Sequence, residues 1–344
     1  MAPIIVDSAV EKDNLFIPLI DFSLFLSGTP AEKKSTADTL LSGFQQAGFI
    51  YLKNHGIPRA QVSRVFASSA AFFARPQPQK DALAWYSPEA NRGYTAHGRE
   101  KVTQLADKGD VEALRAAVPD LKESLEIGRE GEEGLPNMWP SCFDDEGQVF
   151  KDVMLEFFDC CKDLHMQVMR AVAMGLGIEE AWFDGFTDGG DNTLRLLHYP
   201  EVKRGVFRRK DGLEQVRAGE HTDYGSITLL FQDDRGGLQV LSPNGNFIDA
   251  TPIPDTIVIN AGDLLARWSN DTIKSTKHRV VEPPLKEGQE VGDVYPARYS
   301  VAYFCNPNFD RFIDAIPGTY EETGKKYEGV NSGEYLVRRL AVTY

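Results

Sequence analysis

Cysteine is scarce in this chain: Cys142, Cys160, Cys161 and Cys305 are the whole set. Their spacings fit neither a disulfide framework nor a zinc site. Free structural thiols and a reducing, cytoplasmic compartment are therefore expected. Long apolar runs are missing too, and none approaches the roughly 18 residues of a membrane span. The stretch MAPIIVDSAVEKDN lacks the basic and apolar regions of a secretory signal, and LAVTY carries no lipidation or peroxisomal signal. Positive charge is in deficit, with a formal net charge of −14. Nucleic acid and anionic membranes attract clusters of Lys and Arg, so neither is an expected partner. Repeats and low-complexity segments are absent as well.

What remains is an ordinary globular composition, 42% apolar and 26% charged, in a chain long enough for a large core. FIPLIDFSLFL (Phe16 to Leu26) reads as a strand ending in a turn. Helical periodicity marks Ala31 to Phe49, Arg59 to Pro76 and a long segment from Val149 to Ile178. Between the first two, GFIYLKNHGIP reads as a strand closed by a turn. The region from Gln77 to about Glu146 reads as loop-rich. After Asp191 the texture changes to short β-forming runs separated by turn signals, with PNGN (Pro243 to Asn246) and DDRGG (Asp233 to Gly237) the strongest turns. Many short strands with regular turns argue for a jelly roll. SGEYLVRRLAVTY ends the chain in helical style. The expected fold is mainly β with flanking helices. Its parts are an α-rich region over 1–190, a jelly-roll core over 191–310 and a helical segment over 311–344. No linker separates them, so one integrated unit is expected.

GEHTDYGSITLLFQ holds the first chemical signal. His221 and Asp223 are an i, i+2 pair at the mouth of a β run, where a strand turns both to one face. His278, in STKHRVVEPP, heads another β run. Two His and one carboxylate on one face leave three positions open on an octahedral ion, the pattern of non-heme Fe(II) sites. Arg298 and Ser300, in RYS, again share a face. A guanidinium with a hydroxyl makes a clamp for a carboxylate. Tyr199, in LHYP, adds a phenol on the preceding strand. Gly262 and Asp263 read as a turn between the two ligand strands.

With these motifs in place the chain resembles the isopenicillin N synthase-like branch of Fe(II)/2-oxoglutarate oxygenases, which includes anthocyanidin and flavonol synthases. IPLIDFS, GFIYLKNHGIP, RGYTAHGREK (Arg92 to Lys101), DLKESLEIG (Asp120 to Gly128) and HTDYGSITLLFQD all carry the likeness. It spans nearly the whole chain. The resemblance implies a distorted double-stranded β-helix with Fe(II) on His221, Asp223 and His278. It places the distal carboxylate of 2-oxoglutarate on Arg298, Ser300 and Tyr199, with O₂ as oxidant and ascorbate as a supporting reductant. Hydrogen abstraction from a small organic molecule, in secondary metabolism, would lead to hydroxylation, desaturation or ring rearrangement. The family tendency is a monomer or weak homodimer.

Four further residues are candidates for the substrate pocket. Phe304 sits where flavonoid-acting relatives place an aromatic. Arg195 shares a strand face with Tyr199 and, as a buried cation, needs an anion; a substrate carboxylate or phenolate is the expectation, against a salt bridge to a protein acid. Arg92 and Tyr94 are expected at the pocket mouth, while His198 and His55 read as structural. One departure from the plant members is a longer gap between His278 and Arg298. Its segment PLKEGQEVGDVYP reads as a surface loop, with a lid or partner contact as the functional option. Two other readings stay open: an Fe(II) oxidase of the same fold that does without 2-oxoglutarate, and a catalytically silent scaffold.

Overall fold

The computed structural model describes residues 7–99, 109, 118–207, 215–284 and 292–343. Thirteen strands build its two main sheets. They are β1 (Ser8–Lys12), β2 (Leu15–Asp21), β3 (Phe49–Lys53), β4 (Gly93–Thr95), β5 (Glu123–Gly128), β6 (Thr193–Tyr199) and β7 (Ala218–His221). β8 (Ile227–Gln232), β9 (Leu238–Leu241), β10 (Phe247–Asp249), β11 (Thr256–Ala261), β12 (His278–Val280) and β13 (Arg298–Phe304) follow. The larger sheet has the order β1-β2-β3-β11-β8-β13-β6-β5-β4, and the smaller β10-β9-β12-β7. From β7 to β13 the chain crosses repeatedly between the sheets, which produces the expected jelly roll.

Alternation along the strands fills two cores. On β11, Ile257 and Ile259 face the helices, while Val258 faces the smaller sheet with Ile17, Phe49, Val240 and Ala302. The helical side is dominated by α3 (Asp145–Gly175), which packs beside α1 (Pro30–Gln46) and α2 (Arg59–Phe73). Phe150, Met154, Phe157, Cys161, Leu164, Val168 and Val172 of α3 are buried at helical spacing. Each such aliphatic or aromatic side chain contributes about 1.5–3 kcal/mol when withdrawn from water. Two caps start these helices sharply. The Thr29 side chain accepts from Glu32 N–H while Glu32 accepts from Thr29 N–H at 2.8 Å, and Asp144 accepts from Gly147 N–H at 2.7 Å.

Several sequence expectations need correction. The strand expected from Phe16, β2, stops at Asp21, because its carboxylate captures the Ser23 amide at 3.1 Å and starts a one-turn helix, Ser23–Ser27. Gly262 and Asp263 open a short helix, α4 (Asp263–Trp268), rather than a turn. The loop-rich region contains β4 and β5. ESLEIG forms β5, and its Glu123 and Glu126 are both buried against cations. The PNGN turn joins β9 to β10 as expected, with Gly245 at φ 85°. DDRGG carries the chain from the larger sheet to the smaller one. Of the unusual segment between His278 and Arg298, residues 285–291 lie outside the described residues, as do Glu100 and Lys101 of RGYTAHGREK. Among the described residues, no helix is long and apolar enough to cross a membrane.

Candidate active site

Strands β7 and β12 pair so that His278 lies directly across from His221. Their ring centres are 4.3 Å apart. Asp223 sits just past the end of β7, and its Oδ1 is 3.7 Å from the Nε2 of each histidine. The back of each group is tied down. His221 Nδ1 lies 2.8 Å from the Gly219 carbonyl, and His278 Nδ1 lies 3.3 Å from that of Thr276. A carbonyl only accepts, so each Nδ1 carries the proton and each Nε2 presents its lone pair to the centre. Asp223 Oδ2 accepts from Thr228 Oγ1 at 2.5 Å and Asn260 Nδ2 at 2.7 Å, which turns Oδ1 inward.

Electrostatics hold the same protonation states. Burial, then the neighbouring His278, pulls the His221 pKa down and keeps the ring neutral. Burial alone would raise Asp223, but the two imidazoles and the bonds from Asn260 and Thr228 outweigh it, and its pKa is lowered. Two imidazoles and one carboxylate within 4.8 Å of one another are a donor set that suits Fe(II).

β13 and β6 supply the opposite side of the cavity. Arg298 and Tyr199 are cross-strand partners. The Arg298 guanidinium is buried and held in plane: Nε donates to the Gly236 carbonyl at 2.9 Å and Nη1 to Ser300 Oγ at 3.2 Å. Its carbon lies 4.9 Å from the Tyr199 ring centre. The DDRGG turn thus has a second use. Gly237, at φ 92°, lets the chain pass Val281, whose oxygen would be 2.7 Å from an added Cβ, and this holds the Gly236 carbonyl in place.

His221, Asp223, His278, Arg298, Ser300, Tyr199, Arg195 and Phe304 line one cavity. Arg195 departs from expectation in its partner. Its Nε is 2.7 Å from Oε1 of the fully buried Glu126, its neighbour across β5 and β6. Its charge is balanced within the protein, so no substrate anion is required. The guanidinium instead lies 5.1 Å from the Phe304 ring, and together they present flat surfaces. Arg92 lines a smaller adjacent cavity and pairs with Glu132. Tyr94 lies away from both cavities: it packs on Phe72, and its hydroxyl donates to Glu123. His198 also bonds Glu123, at 2.7 Å, and His55 Nδ1 accepts from Ile57 N–H.

Sequence reasoning missed other lining residues, among them Asn91, Tyr224, Leu336 and Leu340. Asn91 has φ 45°, and the Asn-Arg-Gly run was the available signal for such a left-handed turn. Leu336 and Leu340 come from α5 (Ser332–Thr343), whose i, i+4 apolar pair gave only a generic helix pattern.

Comparison with known proteins agrees with this geometry. Residues 17–142 match the family model of the non-haem dioxygenase in morphine synthesis N-terminal region, and residues 190–307 that of the 2OG-Fe(II) oxygenase superfamily. A 2-oxoglutarate-Fe(II) type oxidoreductase, ppzD, of Metarhizium rileyi is 34% identical over 94% of this chain and 90% of its own length. A full-length Neurospora crassa protein, solved in complex with alpha-KG and thymine, is 62% identical, with a TM-score of 0.89 over 98% of this chain and 100% of that one. The same Neurospora crassa protein in complex with alpha-KG and 5-formyluracil gives 58% identity and a TM-score of 0.87, over 98% and 99% of the two chains. The chain is therefore an Fe(II)- and 2-oxoglutarate-dependent dioxygenase that belongs to the 2OG-Fe(II) oxygenase superfamily.

Proposed function

We propose that the substrate is thymine and that the chain oxidises its C5 methyl group. The likeness to the Neurospora crassa protein, bound to thymine in one structure and 5-formyluracil in another, carries the reading. 5-Formyluracil is thymine with that methyl at the aldehyde level, so the two ligands mark stages of one oxidation series. The cavity suits a flat, neutral, polar-edged ring. Arg195 and Phe304 offer faces for stacking, and Leu336 and Leu340 add apolar cover.

In this reading His221, Asp223 and His278 hold Fe(II) through Nε2, Oδ1 and Nε2. Arg298, Ser300 and Tyr199 hold the distal carboxylate of 2-oxoglutarate. When bound, the iron and 2-oxoglutarate activate O₂, with succinate and CO₂ as by-products. Glu126 keeps Arg195 oriented beside Phe304. Thr228 and Asn260 keep Asp223 Oδ1 aimed at the metal. The buried walls exclude water from the reacting carbon. Each round transfers one oxygen atom to the substrate or removes two hydrogens, and consumes one O₂ and one 2-oxoglutarate.

The continuous larger sheet, which joins β1–β3 to β8, β11 and β13, supports reading the chain as one oxygenase unit with a region over 1–190, a core over 191–310 and a helical segment over 311–344. Four free cysteines support a cytoplasmic protein. A monomer or weak homodimer completes the proposal.

The test is to supply Fe(II), ascorbate, 2-oxoglutarate and thymine, then measure succinate and the mass of the pyrimidine. The expected result is one succinate per two-electron oxidation of the methyl group, so one for the hydroxymethyl and two for the formyl product, with uracil, which lacks the methyl, giving no oxidised base. Turnover of 2-oxoglutarate with thymine unchanged would overturn the substrate and leave the family intact.

A further inference from the structure

Just before β7 lies a second arginine that the clamp does not account for. Arg217 is fully buried. Its guanidinium carbon is 5.8 Å from the centre of the Tyr199 ring, and that of Arg298 is 4.9 Å from the same centre. Two guanidinium groups thus flank one phenol. Neither is paired with an acid among the described residues. Arg217 Nη2 donates to the Pro296 carbonyl at 3.0 Å, and its Nη1 has no hydrogen-bond acceptor there. Among the described residues Arg298 donates to Gly236 O, Ser300 Oγ and Gln232 Oε1.

Asp233 acts on Arg217 only through space, while its oxygens accept from the Tyr299 and Arg235 amides. One carboxylate against two cations leaves this corner net positive. Burial, and then the charge on Arg298, draws the Arg217 pKa down to about 10, so it stays charged at neutral pH. Buried charges of one sign are unfavourable unless an anion joins them. A ligand carboxylate in the cavity beside Tyr199 would supply that need.

We propose that Arg217 is a positioning residue for the cosubstrate: it adds a second buried positive charge for the distal carboxylate of 2-oxoglutarate, and so favours dicarboxylates over 2-oxo monocarboxylic acids. The proposal rests on reading Arg298, Ser300 and Tyr199 as the cosubstrate clamp. Arg217 stands outside the cavity lining. It acts through its field and through Tyr199, which a low-dielectric interior permits over several ångströms.

Selectivity tests this, because a merely structural role would not change it. Binding of 2-oxoglutarate and of 2-oxopentanoate, the same chain without the distal carboxylate, is measured by anaerobic calorimetry on the Fe(II)-loaded protein. Arg217→Gln should weaken 2-oxoglutarate about tenfold and 2-oxopentanoate less than about twofold. Arg217→Lys, which keeps the charge, should retain most of the preference. Equal weakening of both acids, or an unchanged Kd for 2-oxoglutarate, overturns the proposal. Arg217→Met repeats the test if the glutamine variant does not fold. Arg298→Gln checks the underlying reading. If it leaves 2-oxoglutarate affinity intact, the clamp assignment fails. If it weakens binding and Arg217→Gln does not, only the role of Arg217 fails.

Discussion

Strand β6 separates two buried clusters of charge, and adjacent residues on it belong to different ones. Tyr199 faces the cavity with Arg298, while His198 faces the other way. On that far side Glu123 accepts from Lys80 at 2.9 Å, from Tyr94 and, at 2.7 Å, from His198, which stacks on Tyr299. Both oxygens of the acid are used, and its cation is in contact. On the cavity side Arg298 has only neutral acceptors among the described residues, the Nε2 atoms of two imidazoles converge, and Asp223 turns one oxygen inward. A cluster closed on itself contributes to the fold. A cluster left open toward a cavity is arranged for something that enters it.

The sharpest way to break this contrast is to remove one inward-facing donor. His278→Ala should lower succinate formation with thymine by about a thousandfold or more, because two remaining protein ligands hold the metal poorly. Its thermal midpoint should change little, since the ring is replaced at the wall of a cavity rather than in a sealed core. Urea unfolding together with the succinate assay separates the two effects. A large stability loss with activity preserved would mean that the triad is structural after all.

Glu123→Gln is the mirror experiment. Breaking a buried pair strands Lys80, at a cost of about 3 kcal/mol. The KM for 2-oxoglutarate should not move. The same residue predicts acid behaviour. Burial would raise the Glu123 pKa, but bonds from His198, Lys80 and Tyr94 prevail and bring it from an ordinary 4.5 to about 2. A lowered carboxylate pKa stabilises the fold fully above the unfolded value. That stability drains away as pH falls from about 4.5 through about 2. Urea midpoints measured down that range should fall in the wild type and flatten in Glu123→Gln. A parallel fall in both would place the acid sensitivity elsewhere.

The open cluster was the more legible of the two in the sequence. His221 with Asp223, and Arg298 with Ser300, are i, i+2 pairs, and the alternation of a strand converts that spacing into a shared face. Closed clusters leave no such mark, because their members come from separate elements. Glu123 and Glu126 fell within a region read only as loop-rich, and nothing local to Arg195 announced Glu126 as its partner. The same blindness put Tyr94 at the pocket mouth, although its hydroxyl is committed to Glu123. Asn91, Leu336 and Leu340 reach the cavity through tertiary packing alone. Turn chemistry was read correctly at PNGN. At Gly262 it failed, because a Gly-Asp pair opens a helix as readily as a turn.

The mildest perturbation tests how finely the open side is held. Thr228 and Asn260 both donate to Asp223 Oδ2. Thr228→Val keeps the shape of the strand and removes one of the two bonds. The carboxylate then rotates more freely, and Oδ1 spends less time 3.7 Å from both Nε2 atoms. Fe(II) affinity should fall about tenfold, as is usual when a bond to a ligand side chain is lost. Stability should drop by only about 1 kcal/mol, since Asn260 still satisfies the acid. Added Fe(II) should restore turnover at saturation, which a distorted cavity would not allow. Activity that stays low at saturating iron would show that Thr228 shapes the substrate side as well, and that the separation between holding the metal and holding the substrate is less complete than the geometry indicates.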